Sequence, residues 1–308
     1  MIKGKYVFKS NGQIVAEKEN ILTANGIEMI NRYLANSINE WAGTIAVGSL
    51  FTTAASTDQT LSYEISRSPV TLKSFTTNSG SNQIVLKTSL DPLLVGSIYE
   101  IGVIPLNYTN SGKRDNFYIS QFDEIYGTSS SSQWYTGSSV ATAQRTLISS
   151  GSSRHGLYNI LVPTSGSLAT ISGLGLDITG YTPNDYLQLL YYVPATSTNP
   201  SLTFTLFDTN AASWSSSTRI VTTSAVGYYS ASVQMFNTPT TGFNYILDRF
   251  SASFAGGTGS VSLDSIKFMS GDNKVAEELL VSRTSSSIAL TTTKYGQPLE
   301  VEYYLTVT

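Results

Sequence analysis

The chain opens on two runs of alternating apolar and polar residues, Lys5-Tyr6-Val7-Phe8-Lys9 and Ile14-Val15-Ala16-Glu17-Lys18, separated by Ser10-Asn11-Gly12-Gln13. A period of two predicts strands, and Asn-Gly between them predicts a tight hairpin, whose turn needs positive φ at both central residues. The period then changes. Ile27, Ile30, Leu34 and Ile38 recur at helical spacing, with Tyr33 alongside and Thr23 placed as an N-cap. This predicts a helix over 24–37 that packs one apolar stripe onto a sheet. Strands are expected over 44–48, 69–75, 83–90 and 98–104, with Pro69 starting its strand rather than interrupting it.

The texture shifts near 108–116, where Asn107-Tyr108-Thr109-Asn110-Ser111-Gly112-Lys113-Arg114-Asp115 reads as a polar linker. From there to about 269 the pattern is one of short β runs divided by Ser, Thr and Gly. They fall at 117–121, 157–162, 171–178, 186–193, 202–207, 218–222, 228–235, 245–254 and 260–268. Strands at this spacing predict a two-sheet antiparallel sandwich. After Ser270-Gly271-Asp272-Asn273 come runs at 278–282, 288–293 and 299–307. A closing ribbon of that size does not fold alone. The expected organisation is therefore discontinuous: 1–110 and 272–308 form a small α+β domain, a sheet plus one helix, and 111–271 is a sandwich inserted in one of its surface loops.

Composition narrows the chemistry. Only 13% of residues are charged, against about 25% in an ordinary soluble domain. With 19 Tyr, 12 Phe and 3 Trp the chain is folded rather than disordered. It meets water through hydroxyls and amides. The formal net charge is −3 and there is no Lys/Arg run, which speaks against nucleic-acid binding. The chain has no Cys and a single histidine, His155, so thiolate catalysis, disulfides and His/Cys zinc sites drop out. No apolar stretch is long enough to span a membrane, and the first twenty residues lack the apolar core of a signal peptide. An adhesin-like composition without an export signal suits a protein assembled in a host cytoplasm and released by lysis.

The first domain resembles a module of tailed-bacteriophage structural proteins, especially tail-fibre and baseplate components. The matching features are the helix, Thr44-Ile45-Ala46-Val47-Gly48, a turn ending in Asp58, Leu61-Ser62-Tyr63-Glu64-Ile65-Ser66-Arg67-Ser68-Pro69-Val70, Tyr99-Glu100-Ile101-Gly102-Val103-Ile104, and a closing Lys294-Tyr295-Gly296-Gln297-Pro298-Leu299-Glu300-Val301-Glu302-Tyr303. The inserted region resembles the jelly rolls of carbohydrate-binding modules. There the support is the strand 244–254, the Gly256-Gly257-Thr258-Gly259 turn and the strand 261–268 with its late Asp264. The resemblance implies a virion protein of the tail fibre, baseplate or similar appendage. Its first domain would oligomerise, as a trimer, with other virion proteins as neighbours. Its jelly roll would contact a host-surface glycan. The alternatives are a head-decoration or neck protein that binds no sugar, and a cell-surface carbohydrate-binding module or weak glycosidase.

Candidate residues follow. Trp134 and Tyr135 in a Ser-rich loop, and Trp214 in a loop over 210–217, are candidates for stacking on a sugar. Tyr228 and Tyr229 read as adjacent strand residues, one facing in and one out. Asp264 with Asp123 or Glu124 could hold a structural Ca²⁺, as related jelly rolls often do, although Ser265 stands where a second carboxylate often sits. The bland reading of Asp264 is an acceptor for a turn. Glu64, Arg67 and Glu100 are expected to form structural ion pairs, with Arg67 bridging a carboxylate. The remaining carboxylates are scattered singly at turns, where Asp usually caps, so the chain is not expected to be an enzyme and no cofactor is expected beyond that Ca²⁺.

Overall fold

The computed structural model describes residues 2–78, 81–105, 117–120, 135–136, 145–147, 155, 158–163, 168–193, 201–219, 226–235, 237–271 and 278–307. The chain is mainly β and forms two compact units. One comprises Met1–Asn110 with Asn273–Thr308, and the other Ser111–Asp272.

The discontinuous unit holds two five-stranded antiparallel sheets. The first runs, edge to edge, Gln13–Glu19, Ile2–Ser10, Leu299–Val307, Ser81–Ser89, Leu72–Asn78. The opening hairpin turns on Asn11 (φ 51°) and Gly12 (φ 76°), the two positive φ values that Asn-Gly supplies at little cost. The second sheet runs Ile21–Leu22, Ser282–Ser285, Glu100–Ile104, Thr44–Gly48, Glu64–Pro69. Pro69 ends its strand there, and the next strand starts at Leu72. The inward rows of the first sheet, Tyr6 and Phe8 beside Tyr303 and Val301, are fully buried. Tyr6 stacks on Tyr303 at 4.8 Å, and its hydroxyl shares a 2.6 Å hydrogen bond with Ser282 Oγ of the second sheet.

A helix over Ala24–Leu34 packs against this unit. The Thr23 hydroxyl caps it, accepting the Gly26 N–H at 2.9 Å. Its contact differs from the expected stripe. Gly26 and Met29 are buried, whereas Ile27 is 52% and Leu34 76% exposed. The reason is close approach: Gly26 lies against the Val281 backbone, and a Cβ there would sit 1.9 Å from the Val281 carbonyl oxygen. The helix docks through its smallest residue, which turns Ile27 and Leu34 away from the body.

The ion pairs also differ from expectation. Arg67 does bridge Glu64, through its Nε. Glu100 is served instead by Arg283, whose Nη2 donates to it at 2.6 Å, while Nη1 meets Asp58 at 2.5 Å. Glu100 is fully buried and also accepts the N–H groups of Ser62 at 2.9 Å and Tyr63 at 2.8 Å. Burial pushes its pKa above the usual carboxylate value; Arg283 and the two N–H groups hold back part of that rise. Arg283 further donates to Thr52 Oγ1 and Ser62 Oγ. The network thus fastens the returning strand to segments more than 180 residues earlier.

That return explains the insertion. Glu100–Ile104 and Ser282–Ser285 pair antiparallel with Val103 opposite Ser282, and the Val281 N–H donates to the Val103 carbonyl at 2.8 Å. The chain leaves and re-enters at neighbouring strand ends, where a plain hairpin loop would otherwise lie.

The second unit is an antiparallel β-sandwich. One sheet runs Arg145–Leu147, Tyr158–Pro163, Ser260–Met269, Tyr186–Val193, Gly227–Gln234, with Phe117–Ser120 also on Ser260–Met269. The other runs Tyr135–Thr136, Leu168–Ile171, Ile246–Ala255, Ser201–Asp208, Ser213–Arg219, with Leu176–Asp177 also on Ile246–Ala255. One apolar core lies between them, with Leu187, Leu189, Tyr191 and Val193 from the first sheet and Leu202, Phe204, Leu206 and Phe250 from the second. Acidic residues tie down the turns. Asp208 accepts N–H groups from Asn210, Ala212 and Asn244, and Asp185 accepts that of Gly271 at 2.8 Å.

Candidate functional site: the outer face of the sandwich

In the strand Tyr186–Val193 alternate residues point to opposite faces. Since Leu187, Leu189, Tyr191 and Val193 enter the core, Tyr186, Gln188, Leu190 and Tyr192 share the outer face. Register extends that row sideways. Tyr228 lies opposite Tyr192, Ser230 opposite Leu190, Ser232 opposite Gln188 and Gln234 opposite Tyr186. On the other flank Ser262, Ser265, Lys267 and Met269 stand opposite Tyr192, Leu190, Gln188 and Tyr186. The face carries tyrosines, amides and hydroxyls in neighbouring rows, while Leu190 in the middle of it is fully buried and the Gln188 amide oxygen is covered. The Tyr192 and Tyr228 rings lie 5.1 Å apart at 47°; both residues are half-buried, and the Tyr228 hydroxyl is itself covered. Ser232 is exposed, and Gln188 and Ser230 are half-buried.

The face deepens toward Ser260–Met269. A register shift between Leu190 and Tyr191 leaves Asp264 as the extra residue of a bulge. Asp264, Ser265 and Lys267 are fully buried although their strand row faces away from the core. Asp264 Oδ2 accepts the His155 backbone N–H at 3.1 Å. The His155 ring lies 5.0 Å from that of Tyr118, which stands opposite Lys267. Burial, then the neighbouring Lys267 charge, push the His155 pKa down to about 3, so the imidazole is neutral across the ordinary pH range.

Chemically, the face carries the kinds of group that suit a sugar. Aromatic faces meet the apolar C–H faces of a sugar ring, and amides and hydroxyls meet its edges. Asp264 is the single carboxylate in the described strands of this sheet, whereas glycoside hydrolysis uses a pair roughly 5–10 Å apart.

No family model matches the sequence, and neither does any curated protein sequence. Among solved structures the chain is similar to a family 11 carbohydrate-binding module from Clostridium thermocellum in complex with a β-1,3-1,4-mixed-linked tetrasaccharide. The identity is 11% and the TM-score 0.31, over 50% of this chain and 95% of that one. It is similar to carbohydrate-binding modules of the β-sandwich superfamily at 11% identity and a TM-score of 0.32, covering 75% and 86%. It is also similar to the enzymatically active domain of tailspike protein 4 of bacteriophage CBA120, at 16% identity and a TM-score of 0.27. That match covers 48% of this chain and only 20% of the tailspike chain.

The residues singled out from sequence divide three ways. Trp134, Asp123 and Glu124 lie outside the described residues, and Tyr135 is described only as a strand position paired with Thr170. Trp214 is corrected. It stands in the strand Ser213–Arg219, not in a loop, and is 1% exposed. Its ring meets Phe243 and Tyr245 edge-on at 5.9 and 6.1 Å, and its indole N–H donates to the Asn237 carbonyl. It fills the core and is not available to a ligand. Tyr229 packs on the core while Tyr228 takes the outer face. For calcium, Asp264 brings one carboxylate, with one oxygen already accepting a backbone N–H and Lys267 nearby. Among the described residues no group of three acidic or histidine side chains is placed to hold a metal ion. The partners expected for that carboxylate, Asp123 and Glu124, lie outside the described residues. Sequence reading missed Tyr192, Gln188 and Lys267. The signal for the first two was the outward half of an alternating strand, Tyr186, Gln188 and Tyr192, which is visible only once the inward half is known.

Proposed function

We propose that this protein is a non-enzymatic virion component of a bacteriophage tail fibre, baseplate or similar appendage, and that its inserted sandwich binds a host-surface glycan. The observation that supports the binding role is the outer face of Tyr186–Val193, where the half-buried Tyr192 and Tyr228 lie beside Gln188, Ser230 and Ser232. Binding works by stacking and hydrogen bonding, with avidity from several copies. The virion setting is supported by the ordered resemblance of the first domain to tail modules. An assembly role for that unit is supported by its surface. Of the fourteen exposed large apolar side chains among the described residues, all but Val226 belong to it. Exposed apolar side chains that gather into a patch mark contacts with other proteins. Among the described residues no helix is long and apolar enough to cross a membrane.

The test is an oligosaccharide titration of the intact chain beside Tyr192→Ala and Tyr228→Ala. Each substitution should weaken binding by about tenfold or more, the size of one lost stacking contact, with the melting temperature nearly unchanged. Retained binding in both variants would remove this face from the proposal, and absence of the protein from purified particles would remove the virion setting.

A further inference from the structure

The five-stranded sheet of the discontinuous unit has two edges of unequal character. Gln13–Glu19 ends in Glu17, Lys18 and Glu19, and its register with Ile2–Ser10 is broken at Phe8/Lys9. Charges and bulges are the usual means of keeping an edge strand from pairing with another chain. Leu72–Asn78 has no bulge and a single charge. Its register with Ser81–Ser89 is unbroken from Leu72 opposite Lys87 to Asn78 opposite Ser81. It contains no proline, and its one charge, Lys73, is already engaged by Glu40. Residues 72–77 are exposed on both faces of the strand, Phe75 at 67% and Leu72 at 48%. Among the described residues no strand pairs with its outer side.

We propose that Leu72–Asn78 pairs antiparallel with the same strand of a second copy, about a twofold axis through Phe75. Phe75 is the middle of the seven residues, so centring the axis there lets the whole strand pair. Phe75 then faces its own counterpart, Ser74 faces Thr76 and Lys73 faces Thr77. No like charges oppose one another, and the most exposed aromatic ring of the strand gains an aromatic cross-strand partner. Other occupants of an edge, such as an extended segment of an unrelated protein, need no such self-matching. The interface is isologous and joins two five-stranded sheets into one of ten strands. A twofold also replaces the trimer that the family resemblance implies. This inference does not depend on glycan binding.

The chain has no Cys, so a single introduced thiol reports one contact. Phe75→Cys should form a covalent dimer under mild oxidation, because residues facing each other across antiparallel strands have Cβ atoms about 4.5–5.5 Å apart. Ile14→Cys on the other edge should not. The unmodified chain should sediment as a dimer at high micromolar concentration, and Phe75→Lys, which sets two cations face to face, should sediment as a folded monomer. A Phe75→Cys chain that stays folded and uncrosslinked would overturn the proposal. So would equal crosslinking of Ile14→Cys, or a wild-type chain that sediments as a monomer or a trimer.

Discussion

Arg283 is the side chain on which the closure of the discontinuous unit turns. It is 2% exposed and satisfies the fully buried Glu100 while also meeting Asp58. Removing it leaves Glu100 charged and unpaired in a place where burial already disfavours the charge. Arg283→Ala should therefore cost about 3–5 kcal/mol in chemical denaturation. Arg283→Lys should recover only part, since one ammonium cannot span both carboxylates. Glu302 behaves in the opposite sense. Burial raises its pKa, but hydrogen bonds from Lys87, Lys9 and Tyr304 outweigh that and bring it down to about 2, from 4.5. A depressed carboxylate stabilises the fold above its unfolded pKa and loses that contribution as pH falls toward its folded one. Stability should drop between about pH 4.5 and 2, and urea midpoints across that window should vary less in Glu302→Gln. Glu100, whose pKa is raised, acts with the opposite sign in both chains, so the comparison isolates Glu302. Little of this was legible in sequence. Glu100 and Arg283 are 183 positions apart, and nothing local at either residue marks the pair. Trp214 was misread for a different reason. An edge strand whose neighbouring residues are serines has the composition of a polar loop, and only the packing on Phe243 and Tyr245 separates the two.

At the scale of elements, period and turn chemistry were informative and orientation was not. The hairpin at Asn11-Gly12 follows from φ preferences that any chain must obey. The helix follows from spacing and from Thr23, which caps it as its side-chain oxygen requires. The face it buries does not follow, because hydrophobic periodicity shows where apolar residues cluster but not which flank another backbone can approach. Here Gly26 decides, by admitting the Val281 backbone. Gly26→Ala isolates that contact. On an open helix the change gains about 1 kcal/mol. At this position the added methyl collides with a carbonyl oxygen, and a net loss of about 1–3 kcal/mol is expected, read as a fall in melting temperature. Asn31→Ala, on the exposed side of the same helix, should change stability by less than about 0.5 kcal/mol. A gain from Gly26→Ala would mean that the helix does not dock through this residue. The sandwich strands were located well by turn spacing, yet their outer face was not, since alternation identifies two faces without saying which is solvent.

For the whole molecule, the decisive feature is that Val103 and Ser282 are neighbours in one sheet. An entire sandwich can occupy the place of a hairpin loop without disturbing the unit that carries it, because the two strands that flank the insertion pair with each other. The proposed function assigns assembly to the discontinuous unit and recognition to the sandwich. The most direct measurement is a glycan-array comparison of the intact chain with one in which residues 111–272 are replaced by a short Gly/Ser turn. The intact chain should bind a defined set of glycans. The shortened chain should lose that binding while keeping the circular dichroism and cooperative unfolding of a folded β unit. Binding by neither chain, or equal binding by both, would contradict it.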